Sequence, residues 1–105
     1  MDILQGTLDL MILKALQALG PLHGYGIARR LEQLTGEAIS LNQGTIYPAL
    51  VRLQQQGWIQ ADWGTSENGR RAKYYAVTPL GSAQLAAQTE DWARMVGIMA
   101  RVLDI

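Results

Sequence analysis

The chain keeps a helical hydrophobic period up to Gly57 and abandons it there. From residue 58 to residue 78 strand-favouring side chains take over, among them Trp58, Ile59, Trp63, Tyr74, Tyr75 and Val77. Asn68-Gly69 sits between them, a dipeptide whose two positions can both take positive φ and so close a hairpin. Residues 58–63 and 70–78 are therefore expected as strands, with residues 64–69 as the turn. Beyond Thr78 the helical period returns. A chain so patterned is expected to be mainly α with a small β-hairpin.

Before the hairpin there is room for three helices. In residues 5–19, Leu8, Ile12, Ala15, Leu16 and Leu19 recur at helical spacing, and Gly20-Pro21 ends the run. Leu10, Met11 and Leu13 form a second apolar surface, which in so small a protein is expected to face another subunit. In residues 24–34, Ile27, Ala28, Leu31 and Leu34 are expected inside and Arg29, Arg30, Glu32 and Gln33 outside, with Gly36 as the stop. Gly24 and Gly26 weaken the first turn by about 1 kcal/mol each; close backbone approach to the first helix or to DNA would justify them. His23 stands alone before this helix and is expected as a first-turn hydrogen-bond partner, not as a ligand or base. Asn42 is a good N-cap for a third helix ending near Gly57. Ile46, Leu50 and Leu53 point to one side of it. Gly44, Pro48, Val51, Arg52 and Gln55 point to the other, flanked by Thr45 and Tyr47. Pro48 deprives only the Gly44 carbonyl, in the first turn, of its partner.

Thr78 and Pro79 cap and open the last helix, expected to run to about residue 103. Leu85, Trp92, Met95, Val96, Met99, Val102 and Leu103 form its seam at three- and four-residue steps. The distal half outruns the domain before it, and such an unshielded stripe pairs with a partner helix. Two units are expected: residues 1–78, and residues 79–105 as a dimerisation helix.

Lysine and arginine number 9, as do aspartate and glutamate, so the net charge is zero. The distribution is uneven. Residues 42–78 carry Arg52, Arg70, Arg71 and Lys73 against only Asp62 and Glu67. Three of those four cations lie within residues 70–73, a basic patch fit for phosphates or simply for water. With no cysteine and one histidine, neither disulfides nor a conventional zinc site is expected, and no cofactor. No run of about 18 apolar residues suggests a membrane span, and Met1-Asp2-Ile3 lacks a signal-peptide layout. No Ser-His-Asp set, paired carboxylates or phosphate loop can be assembled, so an enzyme is not expected.

Two short helices joined by residues 35–41 match a helix-turn-helix, whose second helix enters the major groove of DNA by its N-terminal end. Gln43, Thr45 and Tyr47 can hydrogen-bond there. Gly44 admits close backbone approach, and the helix N-terminus favours a phosphate. Arg70, Arg71 and Lys73 at the hairpin would lie along the phosphate backbone or minor groove and position the protein without reading sequence.

At these residues the chain resembles the PadR family of bacterial transcriptional regulators. The resemblance is carried by Leu22-His23-Gly24-Tyr25-Gly26-Ile27, by Asn42-Gln43-Gly44-Thr45-Ile46-Tyr47-Pro48-Ala49-Leu50, and by Arg52-Leu53 and Gly57-Trp58-Ile59. Gly69-Arg70-Arg71-Ala72-Lys73-Tyr74-Tyr75, Thr78 and Gly81 complete it. Gly26 departs from it, since many relatives carry an acidic residue there. The single C-terminal helix resembles the short-tailed branch. The resemblance implies a winged helix-turn-helix with a long dimerisation helix: a cytoplasmic, nucleoid-associated homodimeric repressor on a palindromic operator in double-stranded DNA. It implies groove contacts from Gln43, Gly44, Thr45, Tyr47 and Pro48, with Arg52 beside them, and backbone contacts from Arg70, Arg71 and Lys73.

Trp92 has two readings. It packs the dimer, or it and its mate sandwich a small planar aromatic effector, as a tryptophan of the last helix does in one drug-responsive branch. Leu8, Met11, Met95 and Met99 would line that space. Two other functions stand beside the repressor: a winged-helix module that binds protein, and a DNA-binding regulator with no effector. Acidic residues on the exposed third helix would favour the protein-binding module, and there are none.

Overall fold

The computed structural model describes residues 5–105, so the signal-peptide reading of Met1 to Ile3 lies outside it. The order is α1 (Gln5–Leu19), β1 (Leu22–His23), α2 (Gly24–Leu34), α3 (Gln43–Gln55), β2 (Ile59–Thr65), β3 (Arg71–Val77) and α4 (Pro79–Leu103). The three strands form one antiparallel sheet in the order β1-β3-β2. This is the mainly helical architecture with a hairpin wing that the periodicity implies.

Local chemistry fixes the helix ends. Gly20 takes φ +83° and its N–H donates to the Leu16 carbonyl at 3.0 Å, closing α1 with a left-handed residue. His23 Nδ1 accepts from the Gly26 N–H at 2.9 Å, so the lone histidine caps α2 as expected. Thr78 Oγ1 accepts from the Gly81 N–H at 3.0 Å and donates to the Gly57 carbonyl at 2.6 Å, tying the start of α4 to the base of the sheet.

The core is one cluster that α1, α2, α3, the sheet and the start of α4 all enter: Ile12, Leu13, Leu16, Ile27, Ile46, Leu50, Leu53 and Ile59 are almost wholly buried. Five expectations change here. Leu13, assigned to the outer surface of α1, lies in this core, while Leu19 and Leu34 are exposed. Leu8, expected at an effector site, is 3% exposed, and Leu85, expected in the dimer seam, is 4% exposed. The chain's own core consumes both. Within one protomer, Leu10, Met11 and Leu85, of the residues assigned to effector or dimer, border the open space beside α1.

The hairpin closes more tightly than the turn expected over residues 64–69, and without positive φ at Asn68. Ser66 N–H donates to the Arg70 carbonyl at 2.7 Å and Gly69 N–H to the Ser66 carbonyl at 2.9 Å. Gly69 alone takes positive φ, +73°. This is a three-residue loop of type I turn plus left-handed glycine, and it lengthens β2 by two residues beyond Trp63. β1 was not foreseen: two residues paired to Tyr74 and Tyr75 carry no periodicity.

α4 has two parts. Gly81 and Leu85 pack into the body, so residue 79 begins a helix but not a separate packing unit. Every residue from 89 to 105 is exposed. Among the described residues no helix is long and apolar enough to cross a membrane, and no cluster of metal-ligating side chains occurs.

Candidate nucleic-acid interface

α3 presents its first turn to solvent. Gln43, Gly44, Thr45 and Pro48 are exposed, while Ile46, Ala49, Leu50 and Leu53 hold the other side in the core. Asn42 Oδ1 accepts from the Thr45 N–H at 3.1 Å and from the Thr45 hydroxyl at 3.2 Å. The cap therefore uses the donor of Thr45 and leaves its hydroxyl oxygen to accept. The first turn bears no acidic residue, so its positive dipole end is unneutralised.

Tyr47 lies half out of the body at 42% exposure. Its ring is seated on α2: a β-carbon at Gly24 would stand 3.2 Å from the ring and its hydroxyl. Gly24 thus serves α3, not α1 as the sequence reading allowed. Burial pushes the Tyr75 phenol up, and the neighbouring Tyr47 phenol adds to the effect.

Arg52 departs from the expected set. Its Nη2 lies 2.9 Å from Asp9 Oδ1, with the carboxylate side chain only 13% exposed. The guanidinium turns toward α1 and away from the exposed face of α3, because a largely buried carboxylate needs a counter-charge.

The segment joining α2 to α3 has a clamp that sequence reading missed. Glu32 accepts from Arg29 at 2.7 Å through one oxygen and from the Leu41 N–H at 2.8 Å through the other. Arg29 also lies 3.5 Å from Glu37. The Leu41 hydrogen bond, then Arg29, holds the Glu32 carboxyl below the usual range for a glutamate. Ile39 and Leu41, buried on either side of Ser40, complete the anchorage. In sequence Glu32 looks like any solvated helix residue.

In the wing, Tyr75 faces the core and Tyr74 the opposite side, where it meets His23 edge-on at 5.5 Å between ring centres. Arg70, Arg71 and Lys73 are exposed, and none of them has a carboxylate partner among the described residues. The structure thus brings Gln43, Gly44, Thr45, Tyr47 and Pro48 together on one exposed turn and Arg70, Arg71 and Lys73 on one hairpin.

A second feature runs along the other side. Leu10, Met11 and Ala15 of α1, Leu34 of α2, and Leu85 and Ala86 of α4 line an apolar groove of about 730 Å³. Trp92, Met95, Val96, Met99, Val102 and Leu103 continue along α4 past its end, each 44–75% exposed, with Ile98 beside them. The five residues expected around an effector do not meet within one protomer.

Known proteins resemble this chain over most of its length. The model of the transcriptional regulator PadR-like family matches residues 12–87. Protein X of Lysinibacillus sphaericus, itself uncharacterized, is 31% identical over 98 residues, which span 93% of this chain and 89% of that protein. A transcriptional regulator from Clostridium thermocellum has a similar structure, with TM-score 0.83 and 29% identity over 92% of this chain and 93% of the other. A PadR-like transcriptional regulator from Bacillus cereus gives TM-score 0.78 and 26% identity, over 94% and 93% of the two chains.

Proposed function

The chain belongs to the PadR-like family of transcriptional regulators, and from that premise we propose that it is a homodimeric repressor of a palindromic operator, released by a small planar aromatic ligand. It is a DNA-binding regulator and not an enzyme. Its place of action is the cytoplasmic nucleoid. The exposed, acid-free first turn of α3 carries the DNA reading. Gln43, Gly44, Thr45, Tyr47 and Pro48 contact the major groove there, and Arg70, Arg71 and Lys73 contact phosphates from the wing.

The dimer reading rests on α4. Leu85, Thr89, Trp92, Val96, Met99 and Leu103 are spaced four, three, four, three, four, the repeat of a helix that pairs with another helix. The first two border the groove against α1 and the rest are bare. A second copy, laid antiparallel, would cover the bare seam of each chain with the groove of the other. Two-fold symmetry would then bring the two Trp92 rings toward one space, with Met11, Met95 and Met99 around it.

A second reading, the same dimer with no effector, is favoured by one observation. Trp92, Met95 and Met99 sit in the stripe that dimer packing alone would bury.

The test is selection of bound duplexes from a random pool, followed by affinity against salt. The selected sequences should be palindromic. Replacing Arg70, Arg71 and Lys73 with alanine should flatten the slope of log K against log salt by about 0.9 for each phosphate no longer neutralised. An unchanged slope removes the wing from the interface, and a chain that retains no duplex ends the DNA reading. Sedimentation of a Val96→Asp, Met99→Asp double variant should show a monomer; an undisturbed dimer would place the interface elsewhere.

A further inference from the structure

The register of the hairpin separates its two faces. Trp63 pairs with Lys73, and Thr65 pairs with Arg71. By the alternation of a strand these four share a face with Ile59 and Tyr75, which are buried at the base. The face that is core at one end of the hairpin thus becomes, beyond the body, a platform carrying Trp63, Lys73 and Arg71. Trp63 is 60% exposed, a large apolar ring on an arm that gives it no core. The Arg71 guanidinium carbon lies 4.7 Å from the centre of that ring. Arg70, at the turn, has no such support.

We infer that Trp63 is a positioning residue for DNA binding, holding Arg71 in the orientation in which it meets a phosphate. This rests on the DNA-binding reading above. Stacking engages the face of a guanidinium, whereas phosphate is bound through the N–H groups at its edge. The two contacts are therefore compatible. An arginine already held on a ring loses less rotamer freedom when it binds. Its contribution should exceed that of Arg70 although both carry the same charge.

A double-mutant cycle on Trp63 and Arg71 tests this, using a labelled duplex recovered from the random pool. Trp63→Ala should weaken binding about two- to five-fold, the equivalent of an exposed cation–π contact. It should have no further effect once Arg71 is alanine. Trp63→Phe should recover most of the affinity. Arg71→Lys, which keeps the charge but stacks less well, should behave like Trp63→Ala. Melting temperatures identify any variant whose loss comes from unfolding, and Trp63→Phe keeps the cycle usable if alanine is not tolerated. Equal losses from Trp63→Ala with and without Arg71, or no loss at all where Arg71→Ala weakens binding, overturn the inference alone. A wild-type chain that holds no duplex overturns the DNA reading, and this inference falls with it.

Discussion

A β-carbon at Gly81 would stand 1.9 Å from the carbonyl oxygen of Trp58. That carbonyl accepts the Thr78 N–H at 3.0 Å and so fixes the point where the wing returns to the body and α4 departs. Neither partner can yield, since one is backbone at the base of the sheet and the other is in the first turn of a capped helix. Gly81→Ala should therefore cost about 3 kcal/mol by overpacking. Urea denaturation should show a lower midpoint with an unchanged slope; a midpoint equal to wild type would mean that the two backbones separate freely.

How far the sequence revealed such features depended on their range. Residues whose role is settled by neighbours within four positions were legible: the Asn42 and Thr78 caps, the His23 cap, the Ile46, Leu50 and Leu53 face of α3. So was the wing, because a change of period is a local signal. Features made by segments far apart in the chain were not. Leu8 and Leu85 satisfy the pattern of an outer seam and of a core equally well, and only the closeness of α1 to α4 decides between them. Arg52 reads in sequence as an exposed cation because Asp9, 43 residues earlier, gives no sign of its place. Gln43, Gly44, Thr45 and Pro48 were readable for the opposite reason, since their exposure depends on nothing distant, whereas the seat of the Tyr47 ring on Gly24 left no local sign.

Glu32 gives the fold a pH dependence. Its carboxyl is held below the ordinary range by the Leu41 N–H and by Arg29. A depressed folded pKa contributes stability that is fully present above the unfolded value of about 4.3 and is lost as pH falls through the lower folded value. Acid titration of wild type should reveal this loss below the usual glutamate range, and Glu32→Gln should abolish that part of the dependence. The same variant should loosen residues 35–41, read as faster amide exchange at Leu41. Identical acid profiles for both proteins would remove the clamp.

Arg52 should prove structural. Because it is paired with Asp9 on the side of α3 that meets α1, Arg52→Met should lower stability by about 1–2 kcal/mol through the unpaired carboxylate. It should leave the salt dependence of DNA binding where it was. Asp9→Asn should produce a similar destabilisation, and the two substitutions together should cost less than their sum. A salt slope shallower by about 0.9 in Arg52→Met would return this residue to the phosphate contacts.

Gln43 and Gly24 probe the exposed turn in different ways. Gln43→Ala should change which bases are preferred, by about 1–3 kcal/mol at the contacted position, and leave folding intact. Gly24→Ala touches no base but pushes at the ring of Tyr47, 3.2 Å from the new carbon. It should weaken binding to the selected operator more than to random duplex. Equal loss on every sequence from Gln43→Ala would make Gln43 a phosphate contact.

Trp92 decides whether the seam of α4 also senses. It is half exposed and lies three residues beyond Thr89, the last α4 residue of the groove. If two Trp92 rings frame a space in the dimer, a flat aromatic such as acridine should quench tryptophan emission at concentrations that also release the operator. Trp58 and Trp63 contribute to the same emission, so the measurement is a difference. Trp92→Ala should lose the saturable part of the quenching and keep the dimer, while its operator complex becomes insensitive to acridine. Quenching that is identical with and without Trp92, or a wild-type operator complex that acridine leaves intact, would reduce Trp92 to a packing residue. The regulator would then act without this class of effector.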